Sequence, residues 1–174
     1  MSASIRHYLL VVGSVLSLNL PQIALAHGND AHEATESHEM GHAAALGRPG
    51  DPAKATRNVE IRMSDAMRFS PSTLEVRRGE TLRLVVHNDG QTKHELVLGT
   101  HKELEEHAAL MRKFPEMEHD DPNAVSVPPG ETRELTWQFT KRGSFEFACL
   151  VPGHFEAGMT GTIVVKSGAK AVSH

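Results

Sequence analysis

The chain reads as an all-β protein, a β-sandwich carrying one short helical insertion and preceded by a tail that does not fold. Three observations carry that reading. From Val59 to Val165 apolar residues repeatedly alternate with polar ones, which is the period of half-buried strands. Turn signals such as Arg78-Gly79-Glu80 and Asn88-Asp89-Gly90 separate these runs, as Gly, Asn and Asp do where the chain must reverse. One segment, 99–123, breaks the alternation and carries the end signals of a helix. Short strands at close spacing between Gly and Pro turns are the pattern of an antiparallel sandwich.

The first residues read as an export signal. Arg6 precedes a mostly apolar run from Tyr8 to Leu20, and Ala24-Leu25-Ala26 has the small-x-small form of a cleavage site. Asn19 and Pro21 break the run before it is long enough to span a bilayer. A signal peptide over 1–26 and a mature chain starting at His27 are therefore expected, with the protein exported to the periplasm and no membrane span. Removal of Arg6 leaves 17 basic against 22 acidic residues, a net −5 with His neutral. That balance argues against nucleic acid as a partner.

Residues 27–57 are expected to be a His-rich flexible tail. His27, His32, His38 and His42 alternate with Asp30, Glu33, Glu36 and Glu39, with Met40 among them. No apolar period runs through the segment, so it lacks the surface to bury. Its imidazoles and thioether suit loose capture of a metal ion; a solvated linker explains the same composition.

The strands follow in order. Val59, Ile61 and Met63 form one apolar face, then Leu74 and Val76, then Leu82, Leu84 and Val86. His94, Leu96 and Leu98 share a parity that points His94 inward, whereas His87 has the opposite parity from its apolar neighbours. Leu135, Trp137 and Phe139 come next, then Phe145, Phe147 and Cys149, and Ile163 and Val165 close the domain, taken as 58–168. Within the 99–123 insertion, Thr100 and Glu103 form a capping box, Arg112 and Lys113 sit in the last turn, and Leu104, Ala108 and Met111 make one face. Pro115 ends the element.

The chemistry concentrates in Cys149-Leu-Val-Pro-Gly-His154-Phe-Glu-Ala-Gly-Met159, which holds the only cysteine. A lone thiol in an exported protein cannot form an internal disulfide and is a liability unless something occupies it. Thiolate, imidazole and thioether at this spacing, joined by a second His, are the ligand set of a mononuclear copper centre with two His, one Cys and a long axial Met. His94 is the best placed second imidazole. Pro152-Gly153 and Gly158 supply the bends of the loop, and Leu150, Val151 and Phe155 are expected to keep water from the sulfur. Met63, Met67, Met111, Met117 and His119 could assemble a further thioether-rich Cu(I) site, but read better as gap-filling core residues.

These residues resemble the cupredoxins, the fold of plastocyanin, azurin and rusticyanin. The resemblance covers residues 58 to 166 and rests on Asn88…His94, on Cys149-x4-His154-x4-Met159 with the trailing Gly161-Thr-Ile-Val-Val165, and on Phe69-x-Pro71-x-x-Leu74-x-Val76-x-x-Gly79. The loop spacing is similar to that of rusticyanin, longer before the His than in plastocyanin. With the His-rich tail and the helical insertion, the chain looks most similar to the periplasmic copper-tolerance cupredoxins of the CopI type. The resemblance implies a Greek-key β-sandwich holding one type 1 copper through His94, Cys149, His154 and Met159. It implies a role in copper tolerance or homeostasis with a Cu(I)/Cu(II) couple, or, as the alternative, a soluble electron-transfer carrier between membrane complexes. The partners implied are copper ions and a periplasmic or membrane protein that handles electrons or copper. One position departs from the pattern: plastocyanin and azurin have Asn after the first His ligand, and this chain has Glu95, which bears on the bracing of the Cys loop.

No enzymatic activity is expected. A Cys at the inward end of a strand, followed by a Met-bearing loop, suits a thiol nucleophile badly. A copper oxidase would ordinarily need further His-rich sites inside the fold, and the sequence offers none beyond the tail.

Overall fold

A computed structural model describes residues 45–115 and 121–168. The expected signal peptide, the His and Met residues of the tail, and Met117 and His119 lie outside the described residues. Among the described residues, ten strands and one α-helix follow in order: β1 (Gly47–Pro49), β2 (Arg57–Ser64), β3 (Arg68–Ser70), β4 (Thr73–Arg77), β5 (Thr81–Asn88), β6 (His94–Gly99), α1 (His101–Lys113), β7 (Ala124–Val127), β8 (Thr132–Phe139), β9 (Gly143–Ala148) and β10 (Thr160–Lys166). They form two five-stranded sheets, ordered β1-β8-β5-β2-β3 and β4-β10-β9-β6-β7.

The alternation read from the sequence is the alternation of burial. Ile61, Met63, Leu82, Leu84, Val86, Leu135, Trp137 and Phe139 face inward from the first sheet, and Leu74, Val76, Leu96, Leu98, Phe145, Phe147, Ile163 and Val165 from the second. Phe69 meets Phe147 edge to face, centroids 4.9 Å apart, a favoured aromatic geometry. Cys149 and Met159 belong to the same core cluster. Strand direction differs from the expectation of a purely antiparallel sandwich. β2 pairs with β5 in parallel, Ile61 opposite Val86, and β4 pairs with β10 in parallel, Leu74 opposite Ile163. Alternation tells which face a side chain takes and carries no direction, so this could not be read from the pattern.

The helix packs on the outer face of the second sheet. Leu104, Ala108 and Met111 close over Val97, Ala148 and Leu150, which is why Val97 in β6 and Ala148 at the end of β9 are buried although they face away from the sandwich core. Its N-terminus is the expected capping box: the Glu103 amide donates to the Thr100 hydroxyl, and the Thr100 amide donates to the Glu103 carboxylate at 2.8 Å. Met111 therefore sits in the cluster beneath the helix while Met63 sits in the sandwich core, and the two do not share a site.

The start of the fold corrects the boundary read from the sequence. Leu46 is buried, β1 pairs with β8, and the Gly50 amide donates to the Thr136 carbonyl at 3.0 Å. Residues 45–57 thus belong to the sandwich rather than to a tail. A strand of three residues with one apolar neighbour leaves no period to detect. Gly47 lets the strand in, because a Cβ there would run into the Gln138 carbonyl.

Candidate metal centre

Three of the four expected ligands converge at one end of the sandwich. His94 opens β6, Cys149 follows β9, and His154 lies in the loop between β9 and β10. His94 Nδ1 is 3.2 Å from His154 Nδ1, and Cys149 Sγ is 3.3 Å from His154 Nδ1 and 3.9 Å from His94 Nδ1. Bonds of roughly 2.0 Å to nitrogen and 2.3 Å to sulfur, spread trigonally around one ion, would put such donors about 3.5–3.7 Å apart. The residues present fit a copper ion held by two imidazoles and a thiolate.

Met159, the fourth expected ligand, is fully buried at the end of the loop. Its amide donates to the His154 carbonyl at 3.0 Å, and its carbonyl accepts from the Cys149 amide at 3.1 Å. The backbone thus clasps it to both Cys149 and His154. Gly153 and Gly158, at φ 89° and 83°, make the left-handed bends that a side chain would resist. His87, whose parity turned it away from its apolar neighbours, lies in the other sheet with its ring against Thr132.

The loop is braced from three sides. The Glu95 carboxylate accepts from the Leu150 amide at 3.0 Å, so the residue that departs from the family pattern ties β6 to the Cys loop. The Glu95 amide itself points at Cys149 Sγ, 3.4 Å away. Arg68 donates to the Ala157 carbonyl at 3.2 Å, and Arg112 of the helix pairs with Glu156. Leu150 and Phe155 pack under the helix while Val151 packs against the sandwich core. The expected shield around the sulfur is therefore shared between two clusters.

His94 is held by residues the sequence reading missed. Asp65, just after β2, accepts from the Gln91 amide at 2.7 Å, from the Thr92 hydroxyl at 2.8 Å and from the Thr92 amide at 3.3 Å, and its Oδ1 is 3.2 Å from His94 Nε2. These hydrogen bonds, the Gln91 amide first, lower its pKa to about 2. An ionised carboxylate only accepts, so Nε2 carries the proton and Nδ1 turns its lone pair toward Cys149 and His154. Asn88, buried, donates to the Thr92 and Val127 carbonyls and accepts from the Gly90 amide. The Asn88-Asp-Gly signal was legible in the sequence, but its carboxylate partner lies some 25 residues upstream, where no local pattern marks it.

Burial pushes the Cys149 thiol up to about 12, so at neutral pH it stays protonated until a cation displaces the proton. Burial, and then the neighbouring His94 ring, hold His154 below its ordinary value. His154 is thus favoured in its neutral, lone-pair-bearing form, whereas Cys149 must give up a proton before it can bind a cation.

The model of the family described as copper binding proteins, plastocyanin/azurin family, matches residues 55–166. A copper-resistant cuproprotein CopI of Rubrivivax gelatinosus is 50% identical over 162 residues, covering 93% of this chain and 97% of that protein. A copper-resistant cuproprotein CopI of Pseudomonas aeruginosa is 37% identical, covering 72% and 84%. Among solved structures, auracyanin B is similar in fold, with a TM-score of 0.58 at 22% identity over 69% of this chain and 94% of that one. Auracyanin A of Chloroflexus aurantiacus, described as a "blue" copper protein, has a TM-score of 0.54 at 25% identity, over 63% of this chain and 98% of its own.

Proposed function

The chain belongs to the plastocyanin/azurin family of copper-binding proteins, and from that premise we propose that it is an exported copper-tolerance protein holding one type 1 copper through His94, Cys149, His154 and Met159. Copper bound there supplies a one-electron Cu(I)/Cu(II) couple. The observation that carries the reading is the meeting of His94 Nδ1, His154 Nδ1 and Cys149 Sγ within 4.8 Å at the end of a closed core. His94 is fixed by Asp65, Cys149 by burial and by the Glu95 amide, and His154 and Met159 by backbone bonds across the loop. Ligands held by two sheets and a braced loop have little to rearrange when the charge of the ion changes.

The copper-tolerance role follows the names of the relatives, both copper-resistant cuproproteins. Export after cleavage at Ala26 is part of the proposal. So is an auxiliary copper-collecting role for the His-rich segment before residue 45. No helix of the described residues is long and apolar enough to cross a membrane. A thiol enzyme is disfavoured because Cys149 is fully buried, with its pKa near 12. The second reading, a soluble electron carrier, draws on His154, the one imidazole of the site that is partly exposed. Deleting the gene should produce copper sensitivity under the first reading and a respiratory or photosynthetic defect under the second.

The direct test is metal analysis and a visible spectrum of the purified protein with and without copper. Wild type should bind copper with intense visible absorption, and Cys149→Ser should abolish that absorption. A Cys149→Ser protein that kept its colour would refute the ligand set. Removing residues 27–44 should lower the copper count and leave the absorption unchanged. An unaltered count would reduce that segment to a linker.

A further inference from the structure

We propose that Asp65 and Glu95 act as a pair of outer carboxylates that bias the copper centre toward Cu(II). The inference rests on the ligand reading above. Asp65 Oδ1 stands 3.2 Å from His94 Nε2, and Glu95 Oε1 accepts from the amide of Leu150, the residue after Cys149. One carboxylate is attached to an imidazole ligand and the other to the thiolate-bearing strand end.

Charge gives the direction. A cupric ion with one thiolate carries a net +1, which reduction takes to zero. Two carboxylates beside the site lower both values, so the entering electron meets more negative charge than the ligands alone supply. The hydrogen bond to Nε2 acts in the same sense, since a carboxylate on the distal N–H raises the basicity of a ligating imidazole, and the harder, more charged cupric ion gains more from it. The Glu95 amide on the sulfur acts oppositely. It belongs to the backbone and stays in place when the side chain is changed. The cation Lys93 also acts on Cys149, but less strongly than Glu95. Asp65 and Glu95 are positioning residues, touching the ligands and their strand rather than the ion.

Asp65 also has a consequence for the metal-free protein. It holds His94 with the proton on Nε2, presenting Nδ1 before copper arrives. An Asn at position 65 keeps an acceptor and loses the charge, whereas an Ala loses both, so the two substitutions separate tautomer control from the field.

The experiment compares wild type with Asp65→Asn, Asp65→Ala, Glu95→Gln and the Asp65→Asn/Glu95→Gln double variant. Cu(I) and Cu(II) affinities are measured by chelator competition, and the His94 tautomer of the metal-free proteins by nitrogen NMR. Each charge-removing substitution should keep the thiolate–copper absorption and raise the ratio of Cu(I) to Cu(II) affinity about threefold. The double variant should raise it about tenfold, an upward shift of about 59 mV for a one-electron couple. Metal-free wild type and Asp65→Asn should show His94 protonated on Nε2, and Asp65→Ala a mixture of tautomers. An unchanged or lowered ratio in the double variant overturns the proposal; should that protein not fold, the same result in both single variants does so. Failure of the ligand reading looks different, since wild type itself would then lack a Cys149-dependent absorption.

Discussion

The two imidazoles of the site are held in opposite ways. His94 is completely buried at the start of β6, and its outer nitrogen is tied to Asp65, in the turn that follows β2 of the other sheet. His154 is partly exposed in a loop, and its position comes from backbone bonds within residues 151–159. One donor is set by tertiary contacts, the other by local chain geometry. The comparison places His94 on the side of the site fixed by tertiary contacts and His154 on the side that is partly open to solvent.

Removing each imidazole in turn should break the symmetry most visibly. His94→Gly should empty a buried position and leave Asp65 facing it, costing on the order of 2–4 kcal/mol in the metal-free protein from cavity and lost hydrogen bond together. Its coloured site should be lost, with little recovery on adding free imidazole. His154→Gly should keep its fold stability to within about 1 kcal/mol and recover its absorption when imidazole is supplied. Denaturant unfolding and titration of the spectrum with imidazole measure both, and equal rescue of the two would erase the distinction.

A smaller effect should come from the turn that carries His94. Gly90 packs against the Asp65 carboxylate so closely that a Cβ would overlap it. Gly90→Ala should therefore push Asp65 away, destabilise the protein by about 1–3 kcal/mol and alter the visible spectrum. Unchanged spectrum and stability would mean that Asp65 can move without consequence for the site.

The smallest effect should appear in acid. Asp65 is lowered from 3.8 to about 2 by the amide and hydroxyl donors around it. Its contribution to folding is present above pH 3.8 and is lost as the pH falls through about 2, since the unfolded chain takes up the proton first. Stability of the metal-free protein measured between pH 5 and 2 should fall less steeply in Asp65→Asn. Identical slopes would show that the hydrogen bonds of Asp65 add nothing to folding.

Much of the candidate centre was legible because three of its four proposed donors are close in sequence. Cys149, His154 and Met159 lie five residues apart, on a loop whose glycines mark its bends, and the parity of β6 pointed His94 inward. Glu95 was noticed only as a departure from a pattern. That its carboxylate braces the Cys loop emerged from the 3.0 Å hydrogen bond it accepts from the Leu150 amide. Asp65 gave no signal, because an acid after a strand is ordinarily a solvated turn residue.

The sequence by itself determined the faces of the strands, the capped helix and the donor types, since periodicity, capping and ligand chemistry are local properties of the chain. Only the tertiary structure decided that two strand pairs run parallel, that residues 45–57 belong to the sandwich, and which carboxylates stand behind the ligands. Those facts depend on which distant segments come to lie side by side, and the packing of the two sheets and the helix selects that.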